Sequence, residues 1–184
     1  MRIIAGTYRG RRIRAPRGRW IRPTSDRLRE TIFNIIGPDI RGQKVLDIYA
    51  GTGAMGIEAL SRGADHSVFI DKHPLALECM QANLEPLGNS NQWDIIRWDA
   101  EHNLRCLAAR ALQFGYAFVD PPYNQGLVAL TLRHLIESGA MKSGGLIVLE
   151  HHQQERIDPA ANSLTLWDQR RYGKTLVTFL RIMI

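Results

Sequence analysis

The chain predicts an α/β fold, a mainly parallel, doubly wound sheet with helices on both faces. Three observations carry that prediction. From Lys44 onward, short runs rich in β-branched and aromatic residues alternate with stretches of helical periodicity. A glycine-rich turn, Gly51-Thr52-Gly53, joins the first run to the first of those helices. Asp47, Asp71, Asp99 and Asp120 stand at or just after the ends of four consecutive runs, where sheets of this kind gather their ligands.

The elements follow in order. Arg2–Gly6 and Arg12–Ala15 flank Tyr8-Arg9-Gly10, with Gly at both edges of the turn, and predict a short hairpin. Pro16, Gly18 and Pro23 mark a loop. Thr24 or Ser25 then caps a helix to about Ile36, in which Leu28, Ile32, Ile35 and Ile36 recur at helical spacing, and Gly37-Pro38 ends it. Strands are expected at Val45–Tyr49, Ser67–Asp71, Trp93–Arg97, Tyr116–Val119 and Gly145–Glu150. Helices are expected after Gly53 to about Arg62, over Pro74–Leu87, around Asn103–Ala111 and over Leu127–Ser138. Leu164–Trp167 and Thr175–Ile182, about Tyr172-Gly173, read as an antiparallel hairpin.

The 184 residues suit one domain with a small appendage: a basic hairpin extension over 1–24 and the main domain over 25–184. No apolar run is long enough for a membrane span or a secretion signal. Cys79 and Cys106 read as reduced thiols without metal-ligand spacing. The expectation is a cytoplasmic protein with no membrane association and no metal; nothing demands more than a monomer. Net charge is +6, but residues 1–30 hold ten arginines against Asp26 and Glu30, a net +8 that leaves −2 for the remainder. Such a patch either neutralises nucleic-acid phosphates or is a solvated basic tail. Arginine alone supplies it, which suits forked phosphate contacts.

Gly51, Gly53 and Gly56 form G-x-G-x-x-G between a strand and a helix, and Asp71 lies 20 residues beyond Gly51. The glycines permit a tight turn and close approach of a ligand, and the acidic residue can accept both hydroxyls of a ribose. An adenosine-containing cofactor is implied. Asp47 can take the ammonium of S-adenosyl-L-methionine and would oppose a pyrophosphate, which favours the former. Asp47 can equally cap loop amides. Asp99 either accepts from the adenine amine or caps the following helix.

Asp120-Pro121-Pro122-Tyr123 is the second motif. Its prolines fix the backbone leaving the fourth strand and remove two N–H groups. A carboxylate, an outward carbonyl and an aromatic ring then share one corner. That corner suits an amino group on a flat ring stacked on Tyr123. Accepting the amine hydrogens at Asp120 and the Pro121 carbonyl lets the nitrogen pyramidalise toward a methyl donor. His151-His152 carries no such pattern and reads as polar loop residues, and the scattered histidines read as loop or helix-surface residues.

On these residues the sequence resembles class I S-adenosylmethionine-dependent methyltransferases of the amino-modifying kind. In detail it is similar to the bacterial 16S ribosomal RNA guanine-N2 methyltransferases of the RsmD type. The likeness includes Arg2–Gly6, Arg22–Arg27, Leu46–Gly53, Glu58–Ala64, Asp120–Tyr123 and the Tyr172-Gly173 hairpin. Tyr49 and Met55 depart mildly, standing where Phe and Leu are common. The resemblance implies a Rossmann-like seven-stranded sheet with an antiparallel C-terminal strand. It implies that Asp47, Gly51, Gly53, Asp71 and Asp99 line the cofactor site, with Tyr49, Ala50, Thr52, Gly56, Lys72 and Ala100 beside them. It implies that Asp120, Pro121, Pro122 and Tyr123 hold a guanine of ribosomal RNA within the small subunit. Arg9, Arg11, Arg12, Arg14, Arg22 and Arg27 are expected on the RNA backbone, since a base must leave its stack to be modified. Tyr8 and Trp20 either stack on neighbouring bases or anchor the hairpin. Competing readings are an adenine-N6 methyltransferase, a protein glutamine methyltransferase, a non-enzymatic RNA-binding or assembly factor and, more distantly, a nicotinamide oxidoreductase. A DNA enzyme would need a target-recognition domain for which 184 residues leave little room. A glutamine enzyme favours Asn where Asp120 stands.

Overall fold

A computed structural model describes residues 1–15, 26–110, 112–160 and 163–183. Seven strands form one sheet: β1 (Lys44–Ile48), β2 (His66–Asp71), β3 (Trp93–Arg97), β4 (Phe114–Val119), β5 (Met141–His152), β6 (Leu164–Tyr172) and β7 (Thr175–Ile182). Their order across the sheet is 3-2-1-4-5-7-6. Strands β1 to β5 pair in parallel, and β7 runs antiparallel between β5 and β6. The chain order reverses between β1 and β4, so the ligand crevice of a doubly wound sheet belongs at their carboxyl ends.

Alternation along each strand splits the core into two layers. Leu46, Ile48, Ala117, Val119, Ile147 and Leu149 pack under helix α4 (Leu127–Glu137). Val45, Phe118, Leu146 and Val148 face the other way, under Leu28, Ile32, Phe33 and Ile36 of α1 (Asp26–Ile36). Helices α2 (Ala54–Ser61) and α3 (Pro74–Leu84) share α1's side, closing over Phe69. Gly56 is required there. A Cβ on it would lie 2.3 Å from Phe69 Cε1, so the glycine sets how closely α2 approaches β2.

Four features differ from expectation. The segment at Asn103–Ala111 is a 3-10 helix, Arg105–Arg110. Asn103 Oδ1 accepts from Arg105 N–H and its carbonyl from Trp98 Nε1, which starts a tight turn instead of an α-helix. Strand β5 begins at Met141, ahead of Gly145, and a register shift against β4 absorbs the extra residues. β6 extends to Tyr172 rather than stopping at Trp167. His151, expected in a loop after the fifth strand, is buried within β5 and bonded through Nε2 to Thr178 Oγ1 at 2.8 Å.

Residues 1–15 fold back on themselves through one antiparallel bridge, Arg2 with Arg12, and dock on the domain. Ile3 and Ile13 are buried against α2 and α3. Glu58, fully buried in α2, accepts from Ile4 N–H at 2.8 Å and Ala5 N–H at 3.0 Å, and pairs with Arg62 at 2.8 Å and buried Arg29 at 3.7 Å. Arg29 also donates to the Arg2 carbonyl. One of the ten N-terminal arginines is therefore internal, and Tyr8, half-buried, packs against the apolar cluster that holds Ile3 and Ile13. The expected 24/25 boundary, the caps Thr24 and Ser25, and Trp20 and Arg22 lie outside the described residues.

Removing one partner of a buried charge pair strands the other. Glu58→Ala is expected to cost about 3–5 kcal/mol and to deprotect the amides of Ile4 and Ala5. Urea unfolding with hydrogen exchange checks this; a loss under about 1 kcal/mol would contradict it.

Candidate active site

A cavity of about 570 Å³ opens at the carboxyl ends of β1, β2, β4 and β5. One wall is the turn after β1 with the start of α3: Tyr49, Gly51, Pro74, Leu75 and Ala76. The opposite wall is the corner Asp120-Pro121-Pro122-Tyr123 with Glu150 of β5. Asp71, Lys72, His73 and Glu101, from the ends of β2 and β3, complete the lining on the side of β1 away from β4.

The first wall depends on Asp71. Its Oδ2 accepts from Gly51 N–H and its Oδ1 from His73 N–H, both at 2.9 Å. The link pulls the turn after β1 onto the end of β2. Tyr49 consequently leaves the strand with φ 61°, and Gly51 follows at φ 56°. The Tyr49 hydroxyl meets Thr131 Oγ1 of α4 at 2.7 Å. Burial, opposed by that hydrogen bond, keeps this phenol above its ordinary pKa.

Asp47 is placed differently from Asp71. It is 4% exposed, is absent from the cavity lining, and accepts from Gly56 N–H at 2.9 Å. Burial pushes its carboxyl up to about 8; the Gly56 bond lowers it and the Asp71 charge adds to the rise. Gly53 and Gly56 face Met80, Phe69 and Ile57. Thr52 and Ala50 are buried beside the turn, and Ala100 packs in the core with its carbonyl 3.0 Å from His134 Nδ1. Asp99 accepts from Glu101 N–H at 3.1 Å, the closure of a turn, and lies 3.5 Å from Lys72 Nζ. Lys72 Nζ reaches Glu101 at 2.5 Å, and that bond holds the ammonium above its usual pKa. Of the expected cofactor residues, Tyr49, Gly51, Asp71 and Lys72 thus reach the cavity; the others lie behind or beside it.

All four residues of the corner line the cavity. Tyr123 donates its hydroxyl to Glu150 Oε1 at 2.7 Å and lies 3.3 Å from Thr175 Oγ1. Burial and the neighbouring carboxylates hold that phenol above its ordinary value, against the Thr175 bond, so it stays a donor.

The sequence reading did not pick out Glu101, Glu150, Thr131 or Thr175. Glu150 had a usable signal, since it ends the fifth run as Asp120 ends the fourth. The expected RNA contacts Arg9, Arg12, Arg14 and Arg27 are exposed. Arg11 Nη1 donates to the Pro86 carbonyl at 2.8 Å and its guanidinium sits over the Tyr8 ring. Arg171 and Lys174, at the β6–β7 turn beside Thr175, are further exposed cations, far from the N-terminal arginines in sequence.

Among the described residues the cavity presents four carboxylates, Asp71, Glu101, Asp120 and Glu150, against the ammonium of Lys72. Such a lining attracts a cation and repels a pyrophosphate. Also among the described residues, no group of three or more His, Cys, Asp or Glu is placed to hold a metal ion, and no helix is long and apolar enough to cross a membrane.

The family model described as conserved hypothetical protein 95 matches residues 1–181. The chain is 36% identical over 174 residues to the ribosomal RNA small subunit methyltransferase D of Escherichia coli (strain K12), covering 95% of this chain and 86% of that one. It is 34% identical over 158 residues to the protein of the same name from Haemophilus influenzae, covering 85% and 81%. Among solved structures it is similar to the Escherichia coli protein yhhF, with a TM-score of 0.85, 30% identity and coverage of 100% and 98%. A hypothetical protein from Thermus thermophilus gives a TM-score of 0.82 at 30% identity, covering 100% and 99%.

Asp47 ties pH to stability. Its carboxyl ionises near 3.8 ordinarily and near 8 when folded, so between those values the folded chain holds the extra proton. Its contribution to stability therefore falls as pH rises from about 4 to about 8, then levels. Asp47→Asn keeps an acceptor for Gly56 and is expected to remove that slope. Urea midpoints across the window check it; identical slopes in both proteins would contradict it.

Proposed function

The chain belongs to the conserved hypothetical protein 95 family, and from that premise we propose that it transfers a methyl group from S-adenosyl-L-methionine to the exocyclic N2 amine of a guanine in small-subunit ribosomal RNA. The observation that carries the reading is the acidic cavity joining the Asp71–Gly51 turn to the Asp-Pro-Pro-Tyr corner.

The lining fits the cofactor. Its carboxylates suit a ligand carrying a sulfonium and an ammonium. Pro74, Leu75 and Ala76 offer an apolar surface to a flat base. Asp71, with both oxygens already receiving amides, still has lone pairs for ribose hydroxyls. The bound cofactor supplies an electrophilic methyl on sulfur.

The chain's own residues do the rest. Tyr123 receives the flipped base against its ring, held by the hydroxyl bond to Glu150. Asp120 and the Pro121 carbonyl accept the two amine hydrogens, which localises the nitrogen lone pair toward the methyl. As the N–C bond forms and the S–C bond breaks, positive charge appears on that nitrogen, and Asp120 stabilises it. The proton then leaves to Asp120 or to water. Exposed Arg9, Arg12, Arg14 and Arg27 supply phosphate contacts that hold the RNA, with sequence-independent affinity. The relatives named as small-subunit RNA methyltransferases support this substrate. We place the protein in the cytoplasm, acting as a monomer on the small subunit.

Labelled S-adenosyl-L-methionine and small-subunit particles lacking the modification test this reading. The expected product is N2-methylguanosine in the digested RNA, with Asp120→Ala lowering kcat about 10²–10³-fold at unchanged particle affinity. Label in adenosine or in protein would overturn the assignment of substrate.

A further inference from the structure

Glu150 has a place in the cavity that anchoring Tyr123 does not exhaust. The last registered pair between β4 and β5 is Val119 with Leu149, so Asp120 and Glu150 follow it side by side. Neighbouring strands run about 4.8 Å apart. Phe118 and Val148, two residues earlier, both point into the layer beneath α1, and period-two alternation directs Asp120 and Glu150 to that same side. Both line the cavity. The Tyr123 hydroxyl bonds Glu150 through Oε1 at 2.7 Å and fixes how that carboxylate stands. A carboxylate accepts at about four lone-pair positions, so several partners can share it.

Two adjacent acceptor-only groups select a base edge with two adjacent donors. Guanine has that edge, N1–H beside the N2 amine. Adenine offers its N6 amine beside a bare N1 lone pair, which would face a carboxylate without a hydrogen between them. A site built to accept a hydrogen rejects the analogue that lacks it more strongly than shape alone could.

Resting on the reading above, we propose that Glu150 is the residue that selects guanine, accepting the N1 hydrogen while Asp120 accepts from the neighbouring amine. Asp120 is the catalytic partner, and Glu150 decides which base satisfies the pair. The Tyr123 hydroxyl is then a positioning group for this carboxylate, and its ring is the stacking surface.

The test uses the full chain and small subunits reconstituted with guanine or 2-aminopurine at the mapped target nucleotide. 2-Aminopurine keeps the N2 amine but carries a lone pair at N1. The wild type is expected to prefer guanine in kcat/KM by about 10- to 100-fold. Glu150→Gln keeps a carbonyl for the Tyr123 hydroxyl and offers an N–H to the bare N1, so the preference should fall toward unity. A wild type that methylates both bases equally overturns the proposal. So does a Glu150→Gln protein that slows on both and keeps the wild-type ratio, the result of a purely structural role. No N2-methylguanosine from the wild type would instead fell the reading beneath, and this assignment with it.

Discussion

The Asp71 carboxylate holds two loops at once, and the shape of the cavity follows from that. Gly51 N–H on one oxygen and His73 N–H on the other bind the exits of two neighbouring parallel strands. Hydrogen bonds to a charged group contribute about 1.5–3 kcal/mol each, enough to hold Tyr49 in a left-handed conformation that a bulky side chain avoids. With Tyr49 held there, its hydroxyl reaches Thr131 and closes the floor toward α4. With His73 held, α3 begins at Pro74 and sets Leu75 and Ala76 along the cavity. Asp47, one strand away, serves the layer behind: it fastens α2 through Gly56, whose missing side chain lets the helix close on Phe69.

Charge is divided between inside and outside. The cavity lining is acidic, whereas exposed arginines and Lys174 lie on the N-terminal hairpin, α1 and the β6–β7 turn. Cations outside draw a polyanion to the surface, and carboxylates inside keep its phosphates out. What can cross is an uncharged base, and what can wait inside is a cation. In the proposed reaction this separation would let one small domain serve two ligands of opposite charge without a dividing wall.

Much of the fold was legible because the central strands β1, β2, β4 and the middle of β5 are buried on both faces and read as apolar runs, with turn residues between them. The boundaries that moved did so for local reasons. Asn103 bonded its own turn, and a bulge let β5 run through Gly144-Gly145. The site was legible where a motif fixes the backbone, as at Gly51 and Asp120-Pro121-Pro122-Tyr123. It was less so where role depends on depth. Asp47 and Asp71 both stand at or next to a strand end, yet of the two only Asp71 lines the cavity. Gly51, Gly53 and Gly56 satisfy one spacing, yet Gly53 and Gly56 serve helix packing. Arg29 looked like one of ten equivalent surface cations, and only the buried Glu58 opposite it reveals an internal charge pair. Glu150 ends its run as Asp120 does, but Thr175 belongs to a strand brought beside Tyr123 by sheet order alone, which no local pattern encodes.

The most direct test of the account is calorimetric binding of S-adenosylhomocysteine to the wild type and to Asp71→Asn, with circular dichroism confirming that both are folded. Asparagine keeps a single carbonyl acceptor where the carboxylate holds two amides and, in the proposed reading, the ribose as well. The account predicts that affinity falls at least about tenfold, the effect of losing one charge-assisted bond. An Asp71→Asn protein that binds as tightly as the wild type would contradict it, because the loop clamp and the ligand site would then be separate things.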